Sequence, residues 1–445
     1  MLQTDAFSLV DGDQIEVLMV VLMGPLTICL RNLFFTHILS TNNCFGSATK
    51  FVFNFSLLVV PLLLITTLLS DWISVIFPIL LSCILLSTLF SLYKFYHSDH
   101  GRPSVQSILE NTIEDYQPTA FVTYLRALVL IFTNIAILAV DFHKIFPTRF
   151  MKTIGFGHSL MDVGVAGFTY ILGVGRNVRN RAKSDQREQE KQKRRLVRRV
   201  LTSSPIVLGA LGFGRTVVLK ILDYGVSVTE YGVHWNFFLT LFVIELVAKL
   251  LPRRFNLLFG ILFAAAQQMV LSMGCQEWVL SDSAPRDNLF SANREGLCSL
   301  LGYIALYYLA SAIGEFISKN GPKVSDWIKF HKTNCIKLFL FTFGLAVCLC
   351  VQMLTIVEWL LGIFHGESPW CSIQLCLLDS INRTGLIFFL IGNILTGVIN
   401  MSLNPSSIDP MSSVLYLSIY MLICAVESTD LPTLAHKIDA ACSLR

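Results

Sequence analysis

Apolar runs of about twenty residues recur from one end of this chain to the other, at 16–36, 51–70, 72–93, 119–140, 156–175, 203–221, 234–251, 255–274, 298–317, 336–362, 384–403 and 411–427. A helix of roughly 20 residues spans the hydrocarbon core of a bilayer. Inside that core each backbone N–H and C=O must find its partner within the segment, so an irregular or open-edged chain is excluded. The sequence therefore predicts an all-α fold, a polytopic transmembrane helical bundle with 12–13 spans; the thirteenth depends on the long run at 336–362 and the semi-apolar stretch 368–383. With 54% hydrophobic and 14% charged residues, against about 25% charged in soluble domains, residues 1–445 read as a single multi-span membrane domain. The 12 cysteines fall mostly within apolar runs, without a CxxC pair or His/Cys ligand spacing. They predict no metal site. Acidic residues Asp5, Asp11, Asp13 and Glu16 precede the first run where a signal peptide would be basic, so the first span is expected to be retained.

Charge sets the expected orientation. Lys and Arg accumulate on the cytosolic side of membrane proteins. Of the 34 Lys and Arg, 11 lie between Arg176 and Arg199, which marks 176–200 as a basic cytosolic loop touching lipid headgroups and not as a nucleic-acid interface. With the N-terminus outside the cytosol, the inward loops carry 20 basic residues and the outward loops 6. The N-terminus, and with it the stretch around Asp141, is thus expected to face the lumen if the organelle is the endoplasmic reticulum.

Two polar stretches stand out. In the first, Asp141 ends an apolar run and is followed by Lys144, Arg149 and Lys152, with Asp162 just inside the next run. Charges at a membrane boundary are costly and are functional by default. The second runs from Asp223 and Tyr224 to Glu230, Tyr231, Gly232, Val233, His234, Trp235 and Asn236. Two carboxylates, two phenols, an imidazole, an indole and an amide suit the hydroxyls of a sugar or polyol headgroup; they suit an interfacial aromatic belt with helix caps as well. Asn393, Asn400, Gly392 and Gly397 in a late apolar run point to close helix packing with interhelical amide bonds.

The blocks Ile137–Phe142, Phe146-Pro147 with Arg149-Phe150 and Lys152, Ser159–Val165, Thr229-Glu230-Tyr231-Gly232-Val233-His234-Trp235-Asn236-Phe237-Phe238, and Thr396-Gly397-Val398-Ile399-Asn400 resemble, in order, those of the inositol acyltransferases of GPI-anchor biosynthesis, the phosphatidylinositol-glycan class W family. The resemblance implies an endoplasmic reticulum enzyme that moves a fatty acyl group, usually palmitoyl, from acyl-CoA as co-substrate to the inositol ring of glucosaminyl-phosphatidylinositol, with no other cofactor. The family's essential Asp falls on Asp141 and its essential Lys on Lys152. A carboxylate can serve as general base for a hydroxyl attacking a thioester, and an ammonium can steady the oxyanion or a phosphate. Arg149, Asp162, Asp223, Tyr224, Glu230, Tyr231, His234, Trp235 and Asn236 are then the expected substrate contacts. Between Asp141 and Phe146 this chain has one residue more than the family pattern. A multi-span transporter or flippase of a lipid-linked sugar is the competing reading on composition, although no repeat between the halves is evident.

Overall fold

The computed structural model describes residues 14–38, 47–96, 120–153, 158–186, 204–221, 228–281, 283–320 and 376–443. Among these the regular structure is helical throughout. Among the described residues, eight helices are long and apolar enough to cross a membrane, including Gln14–Phe34, Val122–Ala139, Asn256–Leu280, Arg294–Glu315, Gly385–Ser402 and Pro410–Ser428. The chain is an all-α polytopic membrane protein. Leu86, Leu89 and Phe90 on one helix and Ile261, Leu262, Met269 and Met273 on another are exposed; an aqueous protein would not tolerate such patches, whereas lipid solvates them.

Three further helices coincide with expected runs: Leu160–Gln186, Ser204–Ile221 and Phe237–Leu250. The run at 336–362 lies outside the described residues. One helix starts later than expected, and one continues into the basic stretch. The segment expected at 234–251 begins its helix only at Phe237, because the Asn236 side chain caps it; its 14 residues rise about 21 Å. The basic loop expected at 176–200 is helical as far as Gln186, its remainder lying outside the described residues.

The chain divides into two compact units. One comprises residues 1–153, 157–164 and 323–445, the other 154–156 and 165–322. In the first, Gln14–Ile38 packs on Ile73–Tyr96, and Ala120–Ala139 packs on both Cys376–Arg383 and Gly385–Ser402, the latter also meeting Pro410–Ser443. Gly385 and Gly392 allow these close approaches: a Cβ at Gly385 would lie 2.9 Å from Leu130, and one at Gly392 2.6 Å from Asn134 Nδ2. Gly397, expected to pack in the same way, faces open space. Asn393 bonds the Phe389 carbonyl of its own helix and makes no interhelical bond there.

In the second unit the core is Ile244, Ala248, Ile304, Tyr307 and Tyr308, with Phe259 and Phe263 packed against it. Gly173 and Gly314 let two helices cross, since a Cβ on either would fall 2.5 Å from a carbonyl oxygen of the other helix, that of Tyr307 or Val174. Arg176, at the end of the apolar part of its helix, donates to the Tyr307 hydroxyl at 3.0 Å and to the Ala248 carbonyl. That half-buried cation is thereby fixed against the buried core of its unit.

Candidate active site

The helix Ala120–Ala139 ends where Asp141 N and Phe142 N turn back to Leu138 O and Ala139 O. Beyond it the chain runs through turns and a single 3-10 turn at Thr148–Phe150, and Phe142, Phe146 and Phe150 are all buried. These rings, with Phe146 and Phe150 edge to face at 6.2 Å, sink the loop into the unit together with buried Ile145, while His143, Lys144 and Thr148 are exposed. Arg149 adds a polar fastening: its Nε bonds both oxygens of Glu16, at 2.9 and 3.0 Å, and its Nη2 bonds Asp71 at 2.7 Å. Arg149 was expected to contact substrate; here its guanidinium ties the loop to two other segments.

Asp141 itself is half-buried. Its Oδ2 accepts a 2.8 Å hydrogen bond from Asn400 Nδ2, across 259 residues of sequence. Burial holds its carboxyl above the usual carboxylate range, with the Asn400 bond and the charge of His143 drawing it partly back. This is the kind of environment that suits a general base: desolvation raises its proton affinity, while the Asn400 donor favours the anion. The expected cation, Lys152, is half-buried on the same loop, but the positive charge acting on Asp141 is that of His143. Asn400 was read from sequence as a packing amide. Its place in a block shared with the family was the signal that could have singled it out.

Asp162 anchors the start of Leu160–Gln186. Its Oδ2 accepts from Ser159 Oγ and Thr153 Oγ1, both at 2.8 Å, while its own N–H bonds Ser159 Oγ. Ser159 and Asp162 thus form a variant of the capping box that also fixes the residue following Lys152.

The second polar stretch belongs to the other unit. Asp223 and Tyr224 lie outside the described residues. Gly232 has φ +96° and sits 2.5 Å, by a built Cβ, from Ala292 O and Asn293 Cα, so only glycine fits there. Val233 N bonds Ala292 O, and the single oxygen Asn293 Oδ1 accepts both His234 N and Trp235 N, at 2.7 and 2.9 Å. Trp235 Nε1 donates to Thr240 Oγ1 at 2.9 Å. Buried Asn236 accepts from Leu239 N and donates to Gly212 O and Thr216 Oγ1. The polar groups of Trp235 and Asn236 are therefore engaged within the chain. Glu230 and His234 present exposed side chains, and Tyr231 is half-buried beside Phe237 at 6.4 Å. Among the described residues no three His, Cys, Asp or Glu side chains converge as metal ligands.

The model of the GWT1 family matches residues 4–369 and 367–429. The chain belongs to the GWT1 family. Relatives within its reach include the glucosaminyl-phosphatidylinositol-acyltransferase PIGW of Mus musculus, 29% identical with 87% of this chain and 88% of the relative aligned, and the Homo sapiens protein of that name, 29% identical over 84% of this chain and 85% of its own. GPI-anchored wall transfer protein 1 of Schizosaccharomyces pombe is 32% identical, covering 71% of this chain and 72% of its own. The GWT1 match runs across both polar stretches and across the Thr396–Asn400 segment that supplies the partner of Asp141.

Proposed function

We propose that this acyltransferase of the GWT1 family esterifies the inositol ring of glucosaminyl-phosphatidylinositol in GPI-anchor biosynthesis, with acyl-CoA, usually palmitoyl-CoA, as donor and no further cofactor. The reading is supported by relatives that carry that activity in their names over most of their length. The observation that carries it into chemistry is the half-buried Asp141 carboxylate, raised in proton affinity and held at 2.8 Å by Asn400.

In the proposed reaction an inositol hydroxyl gives its proton to Asp141 as its oxygen attacks the thioester carbonyl carbon. The tetrahedral intermediate collapses, the C–S bond breaks, and the CoA thiolate takes the proton from Asp141. Such a base contributes roughly 10²–10⁴-fold. We assign Lys152 to the developing oxyanion or to the phosphate of the acceptor, where a fixed cation is most effective. Headgroup contact is assigned to Asp162, Asp223, Tyr224, Glu230, Tyr231 and His234. Trp235 and Asn236 shape the turn that presents their neighbours, and Arg149 holds the loop that bears Lys152. We place the protein in the endoplasmic reticulum membrane on the family resemblance, and the Lys and Arg bias then supports an N-terminus and Asp141 on the lumenal side.

The test is acyl transfer in membranes from cells lacking their own enzyme, with palmitoyl-CoA and glucosaminyl-phosphatidylinositol, read as product resistant to phosphatidylinositol-specific phospholipase C. Wild type makes product and well-expressed Asp141→Asn makes none. Absence of product with wild type refutes the reaction; product from both removes Asp141 from it.

A further inference from the structure

Along the helix Gly385–Ser402, residues Phe388, Gly392, Thr396 and Asn400 stand four apart and share one face. Each contributes to a polar seam running inward from Asp141. Asn400 Nδ2 holds Asp141 Oδ2; because an ionised carboxylate only accepts, the amide nitrogen must face it, which turns Asn400 Oδ1 away into the bundle. That Oδ1 is buried and has no hydrogen-bond partner among the described residues. One turn deeper, Thr396 Oγ1 is likewise buried and unpartnered. The Tyr420 hydroxyl lies close beside it, although among the described residues neither oxygen meets a partner in full hydrogen-bond geometry. Deeper still, the bare backbone of Gly392 makes room for Asn134 and Tyr420, whose polar ends would lie 2.6 and 2.8 Å from any Cβ there. Asn134 Nδ2 donates to Phe388 O at 3.0 Å, and its Oδ1 is unpartnered. Asn134 is 0% and Tyr420 1% exposed. Folded proteins leave few buried polar atoms unsatisfied, and four lined up behind one carboxylate describe a place built for small polar occupants, since a site with two to four polar partners takes water.

We infer that Asn400 is the positioning residue of the Asp141 carboxylate, and that Thr396, Tyr420 and Asn134 hold water against its free oxygen so that the amide cannot rotate away. The inference rests on Asp141 being the base. With Oδ2 taken by Asn400, Asp141 presents Oδ1 to the hydroxyl it deprotonates, and the bond to Asn400 sets how readily it ionises. The other charged or titratable groups around this place are His143 on the same turn, Lys144, whose Nζ donates to Ser407 O at 3.0 Å, exposed Asp409 ahead of the last helix, and Tyr420 and Cys424 within it. His143 is the one among them whose charge acts on Asp141.

The experiment measures kcat, KM for palmitoyl-CoA and the pH profile of kcat/KM for wild type, Asp141→Asn, Asn400→Leu, Asn400→Asp, Thr396→Val and Tyr420→Phe in detergent-purified protein. Asp141→Asn is inactive. Asn400→Leu, similar in volume but without a donor, loses about ten- to a hundred-fold in kcat, as misplacement of a reacting group by an ångström does. Its KM is unchanged, and its acid limb moves to higher pH because the anion has lost a donor. Asn400→Asp, isosteric with the native residue, moves the limb the same way by opposing the charge, and decides the matter if Asn400→Leu does not accumulate. Thr396→Val and Tyr420→Phe show smaller losses in kcat with the limb displaced in the same sense. An unmoved limb in folded Asn400 variants, with Asp141→Asn inactive, overturns the positioning role while the base survives. Activity in Asp141→Asn overturns both.

Discussion

Gly392 and Gly397 lie five residues apart on one helix, and replacing each with alanine separates packing from propensity. At Gly392 the new methyl meets Asn134 Nδ2 at 2.6 Å and Tyr420 Oη at 2.8 Å. To reach ordinary contact, Asn134 must retreat by roughly 0.8 Å, which stretches its 3.0 Å bond to Phe388 O out of hydrogen-bonding range. Overpacking costs about 1–3 kcal/mol and an orphaned buried amide about 1–3 kcal/mol, offset by the gain of about 1 kcal/mol from removing a helical glycine. The net expectation is a loss of about 1–5 kcal/mol. At Gly397 no atom lies within 4 Å, so only the propensity gain of about 0.5–1 kcal/mol remains. Thermal unfolding of both variants in one detergent, followed by intrinsic fluorescence, should place Gly392→Ala below wild type and Gly397→Ala at or above it. Equal midpoints for the two variants would refute the close approach of the Ala120–Ala139, Gly385–Ser402 and Pro410–Ser443 helices as described.

Two further outcomes are expected. Because the folded pKa of Asp141 is raised, the native state holds its proton more tightly than the unfolded chain; the cost of this carboxylate is absent below the ordinary carboxylate pKa, grows as pH rises, and is complete above the folded value. Asp141→Asn should therefore match wild type in stability at acidic pH and exceed it near neutrality, while losing roughly 10²–10⁴-fold in rate; a stability advantage that grows on acidification would contradict the burial. The Cys275 thiol lies 3.0 Å from Cys298 Sγ, so diamide, taking up the two hydrogens, should join them into a disulfide that blocks maleimide labelling at both sites until reduced. Continued labelling of both after oxidation would show that the π-turn Leu271–Cys275 and the end of Arg294–Cys298 are further apart.

Much of this architecture was legible in the sequence because the bilayer imposes a length and a polarity on each span, and the runs around Val122–Ala139, Gly385–Ser402 and Pro410–Ser428 carry both. Helix ends were harder to read. Asn236 looks, as a letter in a string, equally like a sugar ligand and a cap; only the positions of Gly212, Thr216 and Leu239 show how its amide is engaged. The Asp141–Asn400 pair illustrates a different limit. A carboxylate closing an apolar run announces itself locally, but its amide partner lies 259 residues away, and no periodicity links the two. The deeper seam was hidden for a related reason: Asn134, Thr396 and Tyr420 are each unremarkable in an apolar helix, and their meaning comes from sharing one interior face.

The three buried rings of the loop after Asp141 bear on how such a sequence can drift. Phe142, Phe146 and Phe150, with Ile145, act as fixed moorings, and between them His143, Lys144 and Thr148 are exposed. Added or altered residues at His143, Lys144 or Thr148 can be absorbed as a local bulge without dragging the moorings, so the backbone bearing Asp141 keeps its place. The one residue more that the resemblance implies between Asp141 and Phe146 then has room at exposed His143 and Lys144 while the bond to Asn400 still closes. In such a loop the buried rings fix the path of the chain and the exposed positions carry its changes in length.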